Sequence, residues 1–330
     1  MVRNAFGVVF SGNYPLERIL QGAQLAEQLG FDSCWLGEDF FYHGGIAVAT
    51  AIACNTSRIT IGLGVLSPLP RHPALTAMEV GTLDQLTRGR LILGVGYGVP
   101  AWMRQMGLGC RSSLSAMREG VELVRRLLAG EQVTYNGNCF VLDRVQLGFT
   151  PYRSSIPIYL GVEGPKALQL SGEIADGTVI SILSSPEYLE FARENIAIGC
   201  KRGGRSIEAH RLVVYVIFSM DENGERARQA VRHTIAEYLG AGGRPTPLTR
   251  YGGVPDELME LMGAEYRSGR IPVELVSDEL VSRLAVAGTP EECVTGIQRL
   301  LACGAHEIVF FPLPSSEAEA QIERISQQLL

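Results

Sequence analysis

Between Ile59 and Val99 the chain runs through two apolar segments, Ile59-Thr-Ile-Gly-Leu-Gly-Val65 and Leu91-Ile-Leu-Gly-Val-Gly-Tyr97, separated by a helical pattern from Pro73 to Thr87. Segments so rich in β-branched residues and leucine are buried on both faces, as in a parallel sheet covered by helices, and both carry glycines at their C-terminal ends. The stretch therefore reads as a βαβ unit whose C-terminal strand edge is open to a ligand.

The unit recurs. Strand-like runs fall at 5–11, 33–38, 59–65, 91–97, 157–162, 178–182, 212–219 and 307–311. Helical patterns follow at 16–29, 46–55, 74–86, 114–128, 165–174, 187–201, 225–239 and 291–303, with one more at 317–329. Eight strands alternating with helices match an α/β fold of the (β/α)8 TIM-barrel type with insertions, although the count alone leaves a doubly wound open sheet possible. Boundary residues support the helices. Pro73, Pro165, Pro186 and Pro290 sit in first turns, Thr289 with Glu292 makes a capping box, and Gly30, Gly130 and Gly304 stand where a left-handed cap is wanted. The pattern predicts one barrel domain over 1–330, with insertions near 130–156 and 240–284. The first insertion is expected to form a hairpin with an Asn136-Gly137 turn, and loops as long as the second are usually lids or binding segments.

Composition narrows the partners. With 46% hydrophobic and 19% charged residues the 330-residue chain is globular, and its formal charge of -6 without long runs of either sign speaks against nucleic acid. The seven cysteines (34, 54, 110, 139, 200, 293 and 303) are scattered, odd in number and never spaced C-x-x-C. Neither a disulfide framework nor a metal site is expected from them, and a reducing cytoplasm fits best. No apolar run reaches the roughly 18 residues of a membrane span, and the chain enters strand-like sequence at Phe6 without signal-peptide character.

Several ordered elements carry a resemblance: Leu25-Ala-Glu-Gln-Leu-Gly-Phe-Asp32, Trp35-Leu-Gly-Glu-Asp39, Gly62-Leu-Gly-Val65, Arg71-His-Pro-Ala74, Thr82-Leu-Asp-Gln-Leu86, the 158–177 stretch and Ala287-Gly-Thr-Pro-Glu-Glu292. Together they resemble the luciferase-like flavin/deazaflavin oxidoreductases, and most of all the methylenetetrahydromethanopterin reductase group, which uses coenzyme F420. The resemblance implies a hydride transfer between the deazaflavin C5 and a small organic substrate, and a homodimer. An FMN-dependent monooxygenase fed by a flavin reductase partner, and a non-catalytic flavin-binding relative, are the rival readings. The resemblance also implies a non-proline cis peptide between Gly64 and Val65, forming a bulge that props the central ring, with Gly62 and Gly96 on the same strand ends. Glu38-Asp39 stands where deazaflavin-dependent relatives often have Asp-His. Val99 replaces the acid that sugar-phosphate dehydrogenase relatives carry, which argues against glucose 6-phosphate oxidation.

Two further features bear on chemistry. Gly161, Val162, Glu163, Gly164 and Pro165 leave a strand and open a helix, and the free amides and dipole of a helix start suit a coenzyme phosphate. Glu38 and Asp39 close the second strand on the barrel edge, where a carboxylate in an apolar pocket can hold a proton and act as general acid. The competing reading for the pair is a structural bridge to an arginine. Arg71-His72 is better read as scaffold than as catalyst, Asp176-Gly177 as a turn and Trp35 as packing, while Trp102 is a candidate pocket wall in a loop.

Overall fold

The computed structural model describes residues 4–330. Its strands are β1 (Ala5–Phe10), β2 (Ser33–Leu36), β3 (Thr60–Leu66), β4 (Leu91–Val95), β5 (Val133–Asn136), β6 (Val141–Val145), β7 (Ile158–Gly161), β8 (Gly177–Ile180), β9 (Arg211–Met220), β10 (Val286–Gly288) and β11 (Glu307–Pro312). The helices are α1 (Leu16–Leu29), α2 (Gly45–Asn55), α3 (Pro73–Thr87), α4 (Pro100–Gln105), α5 (Ser113–Leu128), α6 (Pro165–Ile174), α7 (Pro186–Arg202), α8 (Gly224–Gly242), α9 (Pro247–Tyr251), α10 (Asp256–Arg267), α11 (Asp278–Leu284), α12 (Pro290–Ala302) and α13 (Ala318–Leu329).

Eight parallel strands close into a barrel in the order β9, β11, β1, β2, β3, β4, β7, β8, with β8 pairing back to β9. Closure decides between the two architectures that the strand count allowed, in favour of the (β/α)8 barrel. The expected proline starts of α3, α6, α7 and α12 are all present, as is the Thr289–Glu292 capping box. The Gly30 cap of α1 is left-handed, with φ of 89°. Ser112 and Ser185 add caps by accepting the Ser115 and Tyr188 amides.

Four expectations need correction. The 240–284 insertion holds three helices (α9, α10 and α11) rather than one helical pattern, and β10, unanticipated because it is only three residues long, extends the sheet beside the end of β9. The hairpin β5–β6 turns through residues 137–140, with the Gly137 amide donating to the Phe140 carbonyl, and not through a two-residue Asn136-Gly137 turn. Its tip is drawn to α5 by Glu119, whose carboxylate accepts the amides of Asn138, Cys139 and Phe140. That anchoring explains the third correction, a disulfide between Cys110 and Cys139 with Cα atoms 5.9 Å apart, since Cys110 lies just before the same helix. Finally, β2 ends at Leu36, where its pairing to both neighbours stops, so Glu38 and Asp39 belong to the following loop.

At the other end of the barrel, two carboxylates fasten helices to strand starts. Asp84, fully buried on α3, accepts two bonds from the Arg153 guanidinium (2.6 and 2.9 Å) and one from the Arg153 amide (2.8 Å). Asp176 accepts the Ile158 amide at 2.9 Å and the guanidiniums of Arg125 and Arg205 at 2.7 and 2.9 Å. Burial opposes its charge, but the Ile158 amide and the two arginines outweigh it and hold the carboxyl below the usual aspartate range. A depressed folded pKa contributes stability above the unfolded value of about 3.9, lost as pH falls through the folded value. Asp176→Asn is therefore expected to cost about 1–2 kcal/mol near neutrality and to flatten the loss of stability below pH ~4, read by urea unfolding across a pH series. An unchanged slope would assign acid sensitivity to other carboxylates. Among the described residues no helix is long and apolar enough to cross a membrane.

Candidate active site

The parallel strands all point their C-terminal ends to one rim, so Ser11, the 37–39 loop, the 64–66 backbone, Gly96 and the 161–165 turn converge there although they lie far apart in sequence. The Gly64–Val65 peptide is cis, as the resemblance implied, and the register of β3 against β4 shifts between Leu63 and Leu66. Three glycines create the room for this bulge. A Cβ on Gly94, Gly96 or Gly161 would lie 3.0, 2.5 or 2.7 Å from a Val65 methyl, so the isopropyl group turns into a nest made by β4 and β7. The Gly96 amide also donates to the Leu66 carbonyl at 3.0 Å. Gly62 serves the barrel interior, where any Cβ would overlap the Trp35 indole.

Of the two acid candidates, Glu38 is committed elsewhere. Its side chain is only 5% exposed and receives both Arg71 amino groups, at 2.6 and 2.9 Å. It also accepts the Gly45 amide at 3.0 Å, which ties the rim loop to the start of α2. Glu38 thus takes the structural pairing with an arginine and braces the rim. Asp39 accepts one bond, from the Ser11 hydroxyl at 2.7 Å. That leaves Asp39 as the rim carboxylate with capacity to spare.

Beside Asp39 a cavity of about 240 Å³ opens among Glu38, Phe40, Tyr42, His43 and Arg71. Trp102, on the short helix α4 rather than in a loop, meets Phe40 edge-on with centroids 5.8 Å apart and so packs against a residue that lines this space, without lining it itself. His72 is turned away from it: Nδ1 accepts the Ala74 amide at 3.2 Å as the cap of α3, and the ring rests against Phe140. A second cavity of about 240 Å³, lined in part by Arg193, His210 and His306, lies at the opposite end, where His210 and His306 directly precede β9 and β11. In barrels of this kind that face serves stability, so it is not the site of chemistry.

On the far side of the bulge, α6 begins at Pro165 after Gly164, and no side chain caps it. The amides of its first turn are left for an anion or solvent, and a Cβ on Gly164 would meet nothing within 4 Å, so a ligand can approach the backbone closely. Val162 is buried beneath the turn. Burial raises the Glu163 carboxyl above its usual range while Arg244, from the 240–284 insertion, opposes the shift. The Glu163 carbonyl accepts the Tyr188 hydroxyl at 2.8 Å, fixing the turn to α7.

The barrel interior holds a polar group that sequence reading missed. Glu307 accepts the Trp35 indole N–H at 3.0 Å and the Ser33 hydroxyl, and burial lifts its carboxyl above the ordinary range. Tyr159 and Tyr215 pack against the same indole. The available signal was a glutamate opening the apolar run Glu307-Ile-Val-Phe-Phe and a tyrosine in the middle of β9. Among the described residues no cluster of three or more His, Cys, Asp or Glu side chains could hold a metal ion.

A family model described as luciferase-like monooxygenase matches residues 5–307. The 5,10-methylenetetrahydromethanopterin reductase of Methanolobus tindarius is 32% identical over 327 residues, covering 98% of this chain and 99% of the relative. The enzyme of the same name from Archaeoglobus fulgidus is 32% identical over 330 residues, covering 98% of both. A solved structure, the coenzyme F420 dependent tetrahydromethanopterin reductase from Methanopyrus kandleri, superposes with a TM-score of 0.90 at 27% identity over 99% of each chain.

Proposed function

The chain belongs to the luciferase-like monooxygenase family, and from that premise we propose that it is a coenzyme F420-dependent oxidoreductase working as a reductase of a small organic substrate. The observation that carries the reading is the rim geometry. A backbone bulge at residues 64–65, half-exposed on the rim while the Val65 methyls seat among Gly94, Gly96 and Gly161, is open to a planar ring, and the uncapped start of α6 lies on the same rim for a phosphate. These residues fit a deazaflavin with a phosphorylated tail.

When bound, the coenzyme supplies a hydride at C5. The protein's part is positioning and proton supply. The 64–65 backbone supports one ring face, and the amides at the start of α6, with Gly161 and Gly164 admitting close approach, hold the phosphate. Phe40, with Trp102 packed edge-on against it, gives the substrate space an apolar wall. Asp39 is the group placed to give a proton to the atom next to the carbon that accepts the hydride, so that a C=N or C=O bond is reduced with charge balanced. Glu38 holds the loop that carries Asp39.

The test is direct. Purified protein mixed with coenzyme F420 is expected to change the ring's fluorescence on binding, and reduced coenzyme is expected to be oxidised under anaerobic conditions on adding a substrate such as 5,10-methylenetetrahydromethanopterin. Tight binding of FMN with oxygen-dependent turnover would replace the proposal with a monooxygenase fed by a flavin reductase. Coenzyme binding with no turnover over a broad substrate panel would leave a non-catalytic binder.

The same reading includes a homodimer formed through barrel helices. It is supported by an exposed apolar row on α3, where Leu75, Met78 and Leu86 are 51, 45 and 47% exposed, with Tyr152 nearby in the sequence segment that Asp84 anchors. A sedimentation mass of one chain at micromolar concentration would remove this part.

A further inference from the structure

Tyr215 stands in the interior of the barrel on β9, with its ring edge-on to Trp35 at a centroid distance of 5.8 Å. It is nearly inaccessible, yet its hydroxyl has no hydrogen-bond partner among the described residues. Buried hydroxyls are almost always paired, so an unpaired one invites a functional explanation. The hydroxyl also lies directly against Gly64: a Cβ there would overlap it, and would lie 3.1 Å from both the Tyr215 Cζ and the Trp35 ring. Trp35 in turn is fixed from below, because its indole N–H donates to Ser33 Oγ at 2.9 Å and to Glu307 Oε1 at 3.0 Å. The result is a rigid column, Glu307 and Ser33 holding Trp35, and Trp35 with Tyr215 meeting the underside of Gly64.

We infer that Tyr215 is a positioning residue for the coenzyme, its hydroxyl and ring supporting Gly64 from inside the barrel and so setting the height of the backbone on which the redox ring rests. The inference rests on the proposed seat of the coenzyme at residues 64 and 65. It explains why the barrel interior carries tyrosine rather than phenylalanine at this position. Stability alone favours phenylalanine, since an unpaired buried hydroxyl is a liability to the folded state.

The experiment uses the whole chain with coenzyme F420 as the probe, and follows three variants, Tyr215→Phe, Gly64→Ala and the double variant, by the thermal midpoint without coenzyme, and by the dissociation constant and absorption spectrum with it. Tyr215→Phe is expected to keep or raise the midpoint of the free protein while weakening binding by about tenfold, the size of coupling found between residues in contact, and to shift the bound spectrum. Gly64→Ala is expected to bind far more weakly, and adding Tyr215→Phe to it should recover part of the loss, because removing the hydroxyl leaves only contacts of 3.1 Å. A purely packing role for Tyr215 would instead lower the midpoint of the free protein and leave the bound spectrum unchanged. The inference is overturned if Tyr215→Phe binds the coenzyme with the wild-type constant and spectrum, or if the two substitutions are strictly additive. A wild-type protein that does not alter the fluorescence of coenzyme F420 overturns the seat itself, a failure distinguishable from the others because it precedes any variant.

Discussion

Replacing Gly161 by valine is expected to weaken coenzyme binding at least a hundredfold, about 3 kcal/mol, beside the folding cost of about 1–3 kcal/mol usual for overpacking. Gly161 is the last residue of β7, and even a Cβ there would come within 2.7 Å of a Val65 methyl. The rest of the valine side chain adds to that conflict. Val65 cannot yield toward β4, since Gly94 and Gly96 leave it only as much room there as it occupies, with would-be Cβ atoms at 3.0 and 2.5 Å. Densely packed interiors do not absorb added volume without shifting backbone. The shift falls on the peptide that supports the ring and on the turn that leads to the α6 amides, so ring and phosphate contacts are lost together. Gly148→Ala is the matching control, because a Cβ there meets nothing within 4 Å, and it should bind the coenzyme as the wild type does. Fluorescence titration of both variants checks the claim. Equal affinity of Gly161→Val and wild type would mean that the coenzyme does not use this rim.

The second large effect is on stability. Arg153→Ala is expected to destabilise the fold by about 3–5 kcal/mol, the usual consequence of stranding a buried charge, and to lower Tm by roughly 4–7 °C. Asp84 is 0% exposed, and the Arg153 guanidinium is the one charged group that hydrogen-bonds to it among the described residues. The same guanidinium donates to the Leu91 carbonyl at 2.6 Å, so its loss also frees the start of β4. Asp84→Asn combined with Arg153→Met should recover much of the loss, because it removes both charges at similar volume. Denaturant unfolding of the two variants measures this. A single variant within about 1 kcal/mol of wild type would show that Asp84 is satisfied by the Arg153 amide alone.

Much of the secondary structure was readable because its determinants are local. The β-branched runs of β1, β3, β4 and β9, the proline starts of α3, α6, α7 and α12, and the Thr289–Glu292 cap act over four residues or fewer. The short elements α4, α9, α11 and β10 were not readable, since a handful of residues has little periodicity and owes its conformation to what it packs against. The hairpin tip and the Cys110–Cys139 bond escaped for a related reason. Both depend on Glu119 collecting three amides of residues 138–140, an arrangement 19 to 21 positions away in the chain.

The amino-acid sequence by itself determined the repeating strand and helix units, their order and the rim on which glycines gather, because hydrophobic period and cap chemistry are properties of neighbouring residues. Only barrel closure decided which side chains meet. It brought Glu38 to Arg71 and left Asp39 with capacity, folded Val65 into glycines from two other strands, and set Glu307 beside Ser33 at a separation of 274 residues. Such contacts form between residues whose local preferences carry no information about one another. They are chosen by strand register and the volume left inside a closed sheet, quantities that exist only once the chain has folded.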